Sequence, residues 1–311
     1  MKAIRMYARG GPEVFAYEDA PQPRPGEGEV LVRVHAAGVT PTELGWVPTW
    51  TSRTGEPRPF PIIPGHEFSG EIAAVGKGVS DLAAGDLVYG LNDWFGDGAL
   101  AEYCVAKASE VALKPRSIDH PAAAVTPISA LTAWQGLFDR CHTGARERVL
   151  IHGAAGAVGV FAVQLARWKG AYVLGTVSAR NAAFASSLGC DEVIDYRATR
   201  FEDTARDVDV VFDTVGGDTL ERSRGLLKPG GRLVTIASSA EGSSDPRTKS
   251  EFFIVEANRK ELDEIAGLID TGHLRPAVDA VFPLAEARRA FGHKPVRGKV
   301  ALDVAGGGAR G

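Results

Sequence analysis

The sequence predicts an α/β protein of two lobes, a doubly wound parallel sheet inserted into a β-rich lobe that both chain ends build. Three observations predict it. Up to about residue 120, short strand-like runs are broken again and again by Gly and Pro. Beyond Pro121, apolar strands alternate with helices, and near Gly153 a glycine-rich turn joins a strand to a helix. At 311 residues the chain is too long for one small core.

In the first third, the residues after Met1 lead straight into a strand-like pattern. Residues 30–36, 71–75, 87–89 and 102–105 read as strands, punctuated at 23–26, 57–64 and 85–86. The middle reads as helix 130–137, strand 148–152, helix 158–168 and strand 171–176. Strand 209–213, helix 220–227 and strand 232–236 follow. A long amphipathic helix at 262–269 then leads back to a strand at 299–304, which rejoins the first lobe. The expected division is 1–120 plus 256–311 for the outer lobe and 121–255 for the inserted one. The glycine-rich tail 306–311 is expected to fray.

Composition removes several function classes. Hydrophobic content of 44% with 24% charged residues is ordinary for a globular protein. A net charge of −4 gives no basic face for nucleic acid, and no apolar run is long enough to span a bilayer. Cys104, Cys141 and Cys190 are far apart and odd in number, as expected of reduced thiols in the cytoplasm.

The strongest motif is Val149-Leu150-Ile151-His152-Gly153-Ala154-Ala155-Gly156-Ala157-Val158-Gly159. A strand enters it and a helix leaves it. Gly153, Gly156 and Gly159 allow the backbone to approach a pyrophosphate, with Ala155, Ala157 and Val158 between them and the unpaired N–H groups of the helix start facing the phosphate. An NAD-preferring site carries an acidic residue after the next strand, yet residues 171–190 contain no carboxylate. That strand ends instead in Ser178-Ala179-Arg180-Asn181, whose hydroxyl, guanidinium and amide suit a 2′-phosphate. NADPH is the expected cofactor.

The stretch Gly65-His66-Glu67 raises the question of a metal. A catalytic zinc needs three protein ligands. His66 and Glu67 could supply two, but neither 38–42 nor 127–132 offers a thiol, so no metal is expected.

These residues resemble the medium-chain dehydrogenase/reductase superfamily, in its zinc-free quinone oxidoreductase (zeta-crystallin-like) branch. The likeness rests on Gly65-His66-Glu67, Leu131-Thr132-Ala133-Trp134 and the glycine loop. It extends to Glu192-Val193-Ile194-Asp195-Tyr196, Asp213-Thr214-Val215-Gly216-Gly217, Lys228-Pro229-Gly230-Gly231 and Arg297-Gly298-Lys299-Val300. It implies a Rossmann lobe inserted in a GroES-like catalytic domain, NADPH as hydride donor and a homodimer. It places Thr132 near the nicotinamide, and Ser178, Arg180 and Tyr196 near the 2′-phosphate. Val215, Ala237, Ser238, Phe253, Val255 and Lys299 fall in its cofactor-lining stretches. Two departures stand out: Thr40 replaces the usual Asn of the branch, and His66 replaces an acidic residue.

Without a metal, an ordinary ketone lacks the Lewis acid that polarises its oxygen. A quinone or an α,β-unsaturated carbonyl spreads the incoming charge onto oxygen by conjugation, so hydride transfer to such an acceptor is expected, with a zinc-dependent alcohol dehydrogenase or a non-catalytic NADPH-binding protein as the alternatives. Thr40 and His66 are the candidate hydrogen-bond donors; Trp46 and Trp94 are candidate pocket walls. Two other roles stay open for His66 and Thr40: a buried brace, and a turn residue before Pro41.

Overall fold

The computed structural model describes residues 1–306; residues 307–311 of the tail expected to fray lie outside the described residues. Strands β1 (Lys2–Met6) and β2 (Phe15–Asp19) form an antiparallel ribbon. A second sheet takes in β3 (Glu29–Gly38), β4 (Glu67–Val75), β5 (Leu87–Leu91), β6 (Tyr103–Lys107) and β7 (Val111–Leu113). Gly70 lets β3 and β4 approach, since a Cβ there would stand 2.2 Å from the Arg33 carbonyl oxygen.

The inserted lobe contains β8 (Arg148–His152), β9 (Tyr172–Val177), β10 (Glu192–Asp195), β11 (Val208–Asp213) and β12 (Leu227–Thr235). These five pair in parallel in the order β10-β9-β8-β11-β12. Alternate residues of each central strand enter different cores, which explains why the strands read as unbroken apolar runs. Val149, Ile151, Val210 and Phe212 pack with helices Pro127–Trp134 and Ala157–Trp168 on one face. Leu150, Val208 and Val211 pack with Phe201, Leu220 and Leu226 on the other. The sheet is therefore doubly wound.

The chain then returns as expected. Strand β14 (Lys299–Asp303) pairs in parallel with β13 (Val278–Pro283) and antiparallel with β3, extending the first sheet. Helix Arg259–Asp270, capped by the Asn258 side chain, buries Leu262, Ile265 and Ile269 in the core that holds Pro127–Trp134. Its Leu262 carbonyl also accepts from the Tyr89 hydroxyl at 2.6 Å. The boundary expected at residue 256 thus falls just before a helix that touches both lobes.

Two elements differ from the sequence reading. The helix expected over 130–137 leaves α geometry at Trp134 and continues as a π turn, Gln135–Arg140. Gly136 packs there against Phe212, where a Cβ would stand 2.3 Å from the ring. The helix expected over 220–227 closes at Ser223, and Leu227 instead opens β12 by pairing with Val208. Cys104, Cys141 and Cys190 are free and buried. Among the described residues no helix is long and apolar enough to cross a membrane.

Candidate active site

A cavity of about 640 Å³ is lined by residues of both lobes, a size ordinary for a small-molecule site. On the inserted-lobe side the tight turn after β8 begins at Gly153, whose φ of +70° favours glycine. Gly156 caps helix Ala157–Trp168 without a side-chain partner, so the first N–H groups of the helix stay free. Gly153, Ala155, Gly156, Ala157 and Val158 all line the cavity. Gly159 does not; its Cα faces the loop, and a Cβ would meet the Gly153 carbonyl oxygen at 2.1 Å. Its role is to let helix and loop touch.

His152 fixes this loop from beneath. Ser223 Oγ donates to the Thr219 carbonyl at 2.6 Å, so it accepts from His152 Nε2 at 2.8 Å. The other ring nitrogen, Nδ1, then accepts from Thr176 Oγ1 at 3.1 Å, and Thr176 Oγ1 in turn accepts from Gly153 N. Only a neutral imidazole satisfies that chain, and burial pushes His152 down to about 4.

At the end of β9, Ser178, Arg180 and Asn181 line the cavity together with Tyr196. The Asn181 amide is committed elsewhere: Nδ2 donates to the Val296 carbonyl and Oδ1 accepts from Arg297 Nε. Arg297, which the sequence offered only inside a family motif, thereby braces this turn. Val215, Ala237, Ser238, Phe253 and Val255 also line the cavity. Asp213, fully buried, shapes the Val215 turn by accepting from Val215 N and Gly216 N.

The opposite wall carries Thr40, Pro41, Thr42, Trp46 and Trp94, with Ile128, Ser129 and Thr132 below. The Trp46 and Trp94 rings meet edge to face at 5.4 Å. Thr132 Oγ1 donates back to the Ile128 carbonyl at 2.6 Å, so its proton is committed within its own helix. Thr40 Oγ1 reaches Glu67 Oε1 only at 3.4 Å, a weak contact.

Glu67 is fully buried and forms an ion pair with Lys299, which lines the cavity. Its other oxygen accepts from Ile128 N at 3.1 Å. The sequence reading missed this pair as an interaction, because its partners come from opposite ends of the chain.

His66 is the candidate donor that the structure keeps out of the cavity lining. It is 2% exposed, its Nδ1 has no partner, and its ring centroid lies 5.2 Å from that of Trp94. Burial, reinforced by Arg58 and opposed by Asn92, pushes it down to about 4. His66 and His152 therefore share a pH signature. The unfolded chain takes up protons as pH falls through the ordinary histidine value near 6.5, while the folded chain resists until about 4. Their contribution to stability is complete above that upper value. It is lost on acidification at about 1.4 kcal/mol per pH unit for each histidine. Urea unfolding at about pH 7 and about pH 5 checks this; His152→Gln is expected to reduce the slope.

Among the described residues, no three His, Cys, Asp or Glu side chains gather as a metal centre would require. No cysteine lines the cavity and Glu67 is bound to Lys299, so the residues present do not fit a catalytic zinc.

A glycine loop at a helix start that shares one cavity with Trp46 and Trp94 fits an oxidoreductase. Residues 26–116 match the family described as alcohol dehydrogenase GroES-like domain, and residues 188–302 that described as zinc-binding dehydrogenase. The quinone oxidoreductase of Sus scrofa is 32% identical over 93% of this chain and 92% of its own. The quinone oxidoreductase from Coxiella burnetii superposes with a TM-score of 0.87 at 30% identity, over 98% of this chain and 99% of its own. Escherichia coli quinone oxidoreductase complexed with NADPH gives 0.83 at 28% identity, over 98% and 100%. This chain belongs to the medium-chain dehydrogenase/reductase superfamily.

Proposed function

We propose that the protein is an NADPH-dependent reductase acting on a quinone or an α,β-unsaturated carbonyl without a metal. One observation carries the reading. A single cavity takes in the glycine loop, the turn bearing Ser178 and Arg180, and the wall bearing Thr40, Trp46 and Trp94. The similarity to an enzyme complexed with NADPH and to quinone oxidoreductases supports it.

When bound, NADPH supplies the hydride. The backbone N–H groups of the glycine loop and the start of helix Ala157–Trp168 hold its pyrophosphate. Ser178, Arg180 and Tyr196 hold the 2′-phosphate. Thr40 is free to turn its hydroxyl from its weak contact with Glu67 toward the carbonyl oxygen of the acceptor. One such donor contributes about 3–4 kcal/mol to a developing oxyanion. Trp46 and Trp94, packed edge to face, give an apolar corner that excludes water and offers an indole face to a planar conjugated acceptor. His66 braces Trp94 and does not touch the acceptor. A homodimer and a cytoplasmic location belong to the same proposal.

A panel of quinones and enones mixed with NADPH tests the reading: the expected result is NADPH oxidation with at least one of them. Binding of NADPH without oxidation by any member would overturn it in favour of a non-catalytic dinucleotide-binding protein. His66→Ala is expected to leave turnover within a few-fold of wild type while lowering the unfolding temperature. Thr40→Val is expected to lower turnover by roughly a few hundredfold. A turnover loss in His66→Ala as large as that in Thr40→Val would return His66 to the donor role.

A further inference from the structure

Glu43 lies on the turn Pro41–Gly45 and is 1% exposed, and neither of its carboxyl oxygens has a hydrogen-bond partner. The turn itself is well tied. Glu43 N donates to the Thr40 carbonyl, and the Glu43 carbonyl accepts from Trp46 N and from Thr49 Oγ1. The same turn thus presents Thr40, Pro41, Thr42 and Trp46 to the cavity and sends one carboxyl the other way, into the interior.

The groups whose charge or dipole acts on that carboxyl are the Gly65 backbone N–H, Lys299 from β14 and Glu67 from β4. The charge of Lys299 is already matched by its ion pair with Glu67. An ionised Glu43 would leave this buried trio with one uncompensated negative charge, and a protonated Glu43 leaves it neutral. Burial accordingly raises Glu43 to about 8, against the smaller pull of the Gly65 N–H and Lys299 and with a further push from Glu67.

Lys299 also borders the dinucleotide trough. Its neighbour Gly298 donates from its backbone N–H to the Ala155 carbonyl of the glycine loop at 2.9 Å. An anionic pyrophosphate at that loop would add negative charge in the cavity that Lys299 lines, and so to the charges acting on Glu43. We propose that Glu43 is a proton-binding positioning residue, carried as a neutral carboxylic acid, and that dinucleotide binding is coupled to uptake and retention of its proton. By linkage, whatever raises the proton affinity of Glu43 on binding makes binding weaker as that proton is lost. The inference rests on the assignment of the trough to NADPH.

The test is NADPH affinity and proton uptake as a function of pH, in wild type and in Glu43→Gln, a neutral isostere. Wild-type affinity is expected to hold below about pH 7 and to fall about tenfold by about pH 9, the penalty for protonating a group that titrates near 8. Glu43→Gln is expected to bind as tightly as wild type at about pH 7 and to show little of that fall. Calorimetry of the wild type near pH 8, in two buffers of different ionisation enthalpy, needs no variant. It is expected to read uptake of about half a proton. The phosphates of NADPH do not contribute there, because their last ionisation lies near pH 6. An equal fall in both proteins, or zero uptake by the wild type, overturns the linkage. Absence of NADPH binding at every pH overturns the cofactor assignment together with it, and so separates the two failures.

Discussion

Replacing Arg180 with glutamate is expected to weaken NADPH binding by about a hundredfold and to leave NADH binding within a few-fold. A charge-assisted hydrogen bond to phosphate contributes about 1.5–3 kcal/mol, and the introduced carboxylate adds repulsion. Arg180 is exposed at the cavity edge and its guanidinium pairs with no carboxylate among the described residues, so it is available to a ligand. Asn181, which looked equivalent in the sequence, is held by Val296 and Arg297. Asn181→Ala is therefore expected to loosen the turn and to act on both cofactors alike. Fluorescence titration at low ionic strength checks these expectations, since salt screens an exposed charge. Equal losses for NADPH and NADH in Arg180→Glu would remove the 2′-phosphate from this turn.

Lys299→Met is expected to cost about 3–5 kcal/mol of stability, because it leaves the Glu67 carboxylate buried without its cation. Neighbouring Thr40 and the Ile128 N–H still donate to Glu67, but neither carries charge. The double variant Lys299→Met/Glu67→Gln is expected to recover much of the loss, since the uncompensated charge is gone. Urea unfolding measures both. A Lys299→Met protein as stable as wild type would mean that the pair is solvated or unformed in solution.

Much of the fold was legible because it follows from local pattern. Val149-Leu150-Ile151 and Val210-Val211-Phe212 read as unbroken apolar runs, and each proves to lie in a central parallel strand feeding two cores. The glycine loop was legible because its geometry needs glycine at particular places, and five of its six named residues line the cavity. Long-range pairing was not legible. Nothing near Lys299 announces Glu67, and nothing near Glu43 announces that its carboxyl turns inward. His66 attracted attention for its position beside Glu67, but the residue that reaches the cavity there is Trp94, brought in from another loop. Thr132 shows a further limit, since its hydroxyl faces back to Ile128 inside its own helix. Sequence patterns report which residue types occur at a site, whereas tertiary packing decides which polar atoms remain free.

The most direct measurement follows deuterium from NADPH labelled at the transferable position of the nicotinamide into a conjugated enone product. Hydride transfer in this cavity is expected to place the label on the β-carbon of the product, with the second hydrogen drawn from water. Recovery of the label in solvent, or product formation at equal rate without NADPH, would contradict it.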